Sequence, residues 1–118
     1  MFVERLNRIA NRIEGALALV IAAEDGIGIE SVSKAPGLDL ELLVAELVAQ
    51  VRAISEAEEE VEIGSLRQLS VRTDQMTLLA SRVGDHHYLI LVLDATGNLG
   101  QARFELKRSA LLLEEDLD

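Results

Sequence analysis

The sequence predicts an α/β (α+β) fold: a five-stranded, antiparallel-rich sheet with one long helix on one face and two terminal helices on the other. Three observations predict it. Two runs, Ala16 to Ala23 and Tyr88 to Leu93, are apolar at every position, as strands buried on both faces are. Three longer segments, at the start, middle and end of the chain, space their apolar residues as helices do. The short segments around Ile27, Leu66 and Met76 are bounded by turn residues and read as strands.

The elements follow in order. Phe2, Leu6, Ile9 and Ile13 form one stripe of a 3.6-residue period, and Gly15 stands where a C′ glycine ends a helix. Ala16 to Ala23 is the first strand. Glu24-Asp25-Gly26 supplies a turn, and Ile27 to Val32 returns as the second strand of a hairpin. Gly28 and Glu30 mark that strand as an edge. After Lys34-Ala35-Pro36-Gly37, Asp39 can cap a helix from Leu40 to about Ala57. The Glu58-Glu59-Glu60 run opposes the helix macrodipole, so fraying is expected there. Gly64 restarts the chain. Leu66 to Thr73 alternates and is the other expected edge. Met76 to Val83 and Tyr88 to Leu93 complete the sheet. Asn98 with Gln101 resembles a capping box, and Leu99, Ala102, Leu106, Ala110, Leu113 and Leu117 form the stripe of the last helix. The order is α-β-β-α-β-β-β-α. Two strands buried on both faces need cover on both, which places the long helix opposite the terminal pair.

The chain has 118 residues, the size of one domain, taken here as 1–118. It carries 11 Lys and Arg against 21 Asp and Glu, a formal net charge of −10. Such a surface disfavours a phosphate backbone, and 3% aromatics leave no base-stacking platform, so nucleic acid is not an expected partner. The absence of cysteine excludes disulfides, thiol catalysis and thiolate zinc sites. Charged residues recur from Glu4 through Glu14, so no secretory signal is expected. The longest apolar run is far short of the roughly 20 residues that span a membrane. The expected location is the cytoplasm.

Catalytic patterns are missing. No G-x-x-x-x-G-K-[ST] loop occurs. Gly26-Ile27-Gly28 starts like a dinucleotide fingerprint, but Ser31 takes the place of the third glycine. No serine sits in G-x-S-x-G. His86-His87 beside Asp85 offers metal-ligand chemistry, but neighbours on a strand point to opposite faces. The Glu56 to Glu62 segment lacks a calcium loop and reads as a solvated acidic tract. Neither an enzyme nor a cofactor or metal site is expected.

Two surfaces stand out. Stepping about 100° per residue from Leu40 puts Leu43, Val44, Leu47, Val48, Val51 and Ile54 on one broad stripe. Leu42, Ala45, Ala49 and Ala53 form a second, nearly opposite, with Glu46 and Arg52 at its flanks. A helix with one face on a sheet should turn charge to water, and this one turns small apolar residues instead. A contact surface accounts for that; alanine chosen for helix propensity is the alternative. The second surface is the edge strand, where Arg67, Leu69, Val71 and Arg72 lie in a stretch without proline. It invites strand addition from a second copy, or it is an ordinary edge blunted by its two arginines.

The order and residues resemble the Roadblock family of dynein light chains and its bacterial gliding-motility MglB branch. The resemblance covers about Leu6 to Leu113. It is carried by Gly15-Ala16 entering the first strand, the Asp25-Gly26 turn, the long middle helix, the strand Tyr88 to Leu93, and Asn98-Leu99-Gly100 opening the last helix. It implies one Roadblock-like, profilin-like domain and a symmetric homodimer with a continuous sheet. It also implies a non-enzymatic role in cell polarity or motility signalling: binding a small Ras-like GTPase, altering its hydrolysis or exchange, or scaffolding it. In the MglB branch the paired second helices face the GTPase. MglB-type chains can extend past the last helix, whereas this one stops at Asp118, so no activity needing such a tail is expected. The other roles considered are a dynein-type light chain or scaffold subunit, and a small-molecule-sensing α/β module.

Overall fold

A computed structural model describes residues 2–117; Met1 and Asp118 lie outside the described residues. The elements are α1 (Phe2–Asn11), β1 (Ala16–Ala23), β2 (Gly28–Ser33), α2 (Leu40–Val61), β3 (Gln68–Arg72), β4 (Met76–Val83), β5 (His87–Asp94) and α3 (Leu99–Leu117). The strands form one sheet in the order β2-β1-β5-β4-β3, every pairing antiparallel. β2 and β3 are therefore the edges, and the apolar run of β5 is the centre.

Alternation along the strands divides the core in two. Leu19 and Ile21 of β1, Leu79 of β4, and Leu89, Leu91 and Leu93 of β5 face one side. There they meet Leu6 and Ile9 of α1, and Ala102, Leu106 and Leu113 of α3. Ala18, Val20, Ala80, Ile90 and Val92 face the other side, under Val44, Leu47, Val48 and Val51 of α2. A register break between Ala16 and Ala18 shifts the phase of β1, so that Leu17 and Ala18 both lean toward α2. Apolar cover on both faces explains why β1 and the Tyr88 to Leu93 run of β5 are apolar throughout, at about 25 cal/mol per Å² of apolar surface removed from water.

The structure differs from the sequence reading at the ends of several elements. α1 ends at Asn11 rather than running to Gly15: Arg12 and Ile13 donate to the Ile9 and Ala10 carbonyls, tightening the last turn. Ile13 is buried all the same, outside the helix. Gly15 works instead at the strand entry, with φ +82°, where a Cβ would lie 2.7 Å from both Asp94 Oδ1 and Gly97 Cα. α2 runs through the glutamate tract to Val61 instead of fraying at Glu58. Glu62 takes a left-handed conformation and donates to the Glu58 carbonyl, and Ile63 donates to the same oxygen. The Glu58 carboxylate accepts from the Leu66 N–H at 2.9 Å. These bonds outweigh a dipole penalty of roughly 0.3–1 kcal/mol per exposed charge. β3 is shorter than expected, Gln68–Arg72 rather than Leu66 to Thr73; β2 keeps its length but moves one residue on, Gly28–Ser33 rather than Ile27 to Val32; β5 gains a residue at each end, His87–Asp94 rather than Tyr88 to Leu93. The capping box at α3 is half formed. Gln101 N–H donates to Asn98 Oδ1 at 3.0 Å, while the Gln101 side chain accepts from Glu14 N–H at 3.4 Å.

Candidate functional site

Asp39 starts the element that carries the site. Its carboxylate accepts from the Leu42 N–H at 3.1 Å, and its carbonyl accepts from Leu43, which satisfies two free donors of the first turn. From there Val44, Leu47, Val48 and Val51 seat the helix on the sheet. That seating leaves Leu42, Ala45, Glu46, Ala49, Arg52 and Ala53 exposed, within an arc of about 120° on the opposite side. Leu42 is 58% exposed. Chain geometry thus brings the six residues together on one open face of α2.

The hairpin turn between β1 and β2 supports this helix from below. Gly26 has φ +88°, and a Cβ there would lie 3.5 Å from Ala45 Cα, so the turn packs against the helix backbone.

At the other edge, β3 pairs with β4 on one side. Leu69 and Val71 are half-buried on the α2 side. Arg67 and Arg72 are exposed at the two ends, and Arg67 lies one residue before the strand. Its carbonyl still accepts from Arg82 N–H, and Thr73 N–H donates to the Met76 carbonyl. By antiparallel alternation, Gln68, Ser70 and Arg72 turn their backbone groups outward. On the far face Arg103 donates to Ser70 Oγ at 3.3 Å. The edge offers a short row of backbone donors and acceptors with a cation at each end.

Residues that sequence reasoning passed over also cluster here. Val61 and Ile63, at the end of α2, are 57% and 63% exposed. At the opposite end, Ile27 and Ile29 are exposed on β2 and its approach. Ile27 and Ile63 fall outside helix and strand, where no stripe is defined, and Val61 and Ile29 sit at or next to the ends of their elements. His86 Nδ1 lies 3.2 Å from Glu24 Oε2, across the two adjoining turns. Among the described residues, no three His, Asp or Glu side chains converge as a metal would require. Asp94 sits where β5 ends. The hydroxyl and N–H of Thr96 donate to its carboxylate at 2.7 and 2.9 Å and hold its pKa below the ordinary 3.8. The α2 face thus offers small side chains at an open surface, and the β3 edge an unextended backbone ladder.

No protein-family model matches the chain, and no curated protein does. Solved structures do. MglB in a tetrameric arrangement superposes with a TM-score of 0.86 at 21% identity, over 96% of this chain and 85% of that one. A Roadblock/LC7 domain from Streptomyces avermitilis gives 0.86 at 17% identity, over 98% and 96%. MglC from Myxococcus xanthus gives 0.73 at 29% identity, over 98% of both chains.

Proposed function

We propose that this chain, which has the Roadblock fold of MglB, MglC and the Roadblock/LC7 domains, is a homodimeric, non-enzymatic regulator or scaffold of a small Ras-like GTPase. The observation that carries the proposal is the open face of α2, where Leu42, Ala45, Ala49 and Ala53 meet solvent without charge. Such a face has no role in the isolated fold, because the sheet is covered by the other side of the helix. Small side chains let another backbone approach closely, and Glu46 and Arg52 at the rim set orientation and on-rate.

The β3 edge supplies the symmetric contact. A two-fold axis beside Gln68–Arg72 pairs two β3 strands and joins two sheets into one. The same axis brings two α2 helices side by side. Each has 22 residues and is about 33 Å long, enough to span a standard protein interface of about 800 Å² per partner. The GTPase docks on this paired surface, and the bound dimer changes hydrolysis or exchange or holds the GTPase in place.

Light scattering tests the dimer: the expected mass is twice the 12.9 kDa of the chain, and a monomer at micromolar concentration overturns it. Titration of a small Ras-like GTPase from the same genome tests the partner. The chain alone is expected to turn over no GTP. Turnover that stays with it through further purification overturns the regulatory reading.

A further inference from the structure

The edge opposite β3 carries its own feature. A groove of about 450 Å³ runs between β2 and the first turns of α2. Val20 lies on its floor, Ile27 and Ile29 on one wall, Leu40, Glu41 and Val44 on the other. Gly28 lines it, and the missing side chain there leaves a dent in the groove. A Cβ on Gly28 would meet Val20 Cγ1 at 3.4 Å, an ordinary contact, and its φ lies outside the left-handed range. Backbone conformation therefore does not require glycine here, and glycine weakens a strand. What it provides is room for a close approach.

The strand beside the groove is open. Lys34 N–H donates to the Leu17 carbonyl, and Ser33, Val32, Ser31 and Glu30 pair with Ala18, Leu19, Val20 and Ile21. Antiparallel alternation then turns the N–H and C=O of Ser31 and Ser33 away from β1. The register breaks at Ile29, which is left unpaired with β1 and 46% exposed. The surroundings are acidic. Glu41 borders one end of the groove. Glu24 and Asp25 lie exposed in the turn before Ile27, with His86 Nδ1 3.2 Å from Glu24 and the Ile27 N–H donating to Asp25 Oδ1. The nearest cation along the chain, Lys34, donates to Asn11 Oδ1 at 3.3 Å on the α1 side.

We infer that β2 accepts an extended peptide segment of a partner protein as a sixth strand, with apolar side chains over Gly28 and lysine or arginine at either end of the groove. Main-chain bonds to Ser31 and Ser33 give affinity, as in other strand additions. The dent at Gly28 and the carboxylates select the side chains. The site lies at the opposite edge from β3 and does not depend on the proposed GTPase role.

The probe is the synthetic peptide Lys-Thr-Val-Thr-Val-Thr-Lys, capped at both ends, which puts both valines and both lysines on one face in either chain direction. It is titrated into the isotope-labelled protein. Expected are amide shifts confined to β2 and the first turns of α2, and slowed exchange at Ser31 and Ser33. Replacing both lysines by glutamate weakens binding at least tenfold, and N-methylation of the central peptide bonds abolishes it. Gly28→Val, which suits a strand and fills the dent, weakens binding at least tenfold, with thermal stability no lower than that of the wild type as its folding control. Ala49→Arg leaves peptide binding unchanged, which separates this site from the proposed GTPase surface. The inference is overturned by absence of shifts at millimolar peptide, by shifts mapping to β3 or to Ala45 and Ala49, or by equal binding of the glutamate peptide. Self-association of the wild type that Gly28→Val removes also overturns it, in favour of a second copy on this edge.

Discussion

Ala49→Arg discriminates between the ways the open face of α2 could be used. Ala49 is exposed at the middle of the face, between Glu46 one turn before and Arg52 and Ala53 one turn after. Arginine is nearly as good a helix former as alanine, within about 0.2 kcal/mol. Attraction to Glu46 and repulsion from Arg52 are each worth about 0.3 kcal/mol and oppose each other. Folding stability is therefore expected to change by less than about 0.5 kcal/mol, a melting shift within about 3 °C. At the centre of a desolvated contact the same arginine costs about 2 kcal/mol or more, a factor of about 30 in Kd. If the face docks the GTPase, affinity falls by that factor while the dimer mass persists. If the face is the dimer seam, the two-fold axis places the substitution there twice. The cost is then about 4 kcal/mol, about a thousandfold, and monomers appear at micromolar concentration. Light scattering and a GTPase titration on wild type and variant separate the two. Unchanged mass with unchanged affinity refutes the contact reading and leaves the alanines as helix formers only.

Leu106→Ala, at a fully buried position between α3 and the sheet, should cost about 3 kcal/mol in urea unfolding. Leu112→Ala, 57% exposed on the same helix, should cost less than about 0.5 kcal/mol. Gly15→Ala forces a Cβ to 2.7 Å from the backbone of Gly97 at φ +82°, and should lower stability by about 2 kcal/mol. Because the Thr96 bonds depress the pKa of Asp94 in the folded state, its stabilising contribution is present above the ordinary 3.8. It is lost as pH falls through the depressed value. Urea midpoints followed from neutral pH to about pH 2 should show a smaller acid loss for Asp94→Asn than for wild type, and equal losses would refute the assignment.

The parts legible in the sequence are those that local geometry governs. The wholly apolar runs in β1 and β5 point to strands covered on both faces, and side-chain direction alternates with period 2 whatever the tertiary contacts. The stripes at 3.6 residues place Val44, Leu47, Val48 and Val51 inward and Leu42, Ala45, Ala49 and Ala53 outward for the same reason. Element order, the two edges and the opposed helix layers follow from these periods. The resemblance to the Roadblock family rests instead on particular residues set within that order: Gly15-Ala16, Asp25-Gly26 and Asn98-Leu99-Gly100.

Other features depend on residues far apart in the chain, which no periodicity couples. The Glu58 carboxylate reaches the Leu66 N–H and the chain turns left-handed at Glu62, so α2 continues through a charge run that local electrostatics alone would end. Gly15 reads as a helix terminator, yet its neighbours Asp94 and Gly97 arrive from about eighty residues later. The dent at Gly28 is visible only once Val20 of β1 and Val44 of α2 line the same groove. In the sequence that glycine only weakens a strand; once α2 packs beside it, the missing side chain becomes the space in which another chain fits. Local sequence determines which face of an element is apolar. Packing alone decides which apolar residue is left uncovered, because exposure belongs to the assembled layers and not to any one segment.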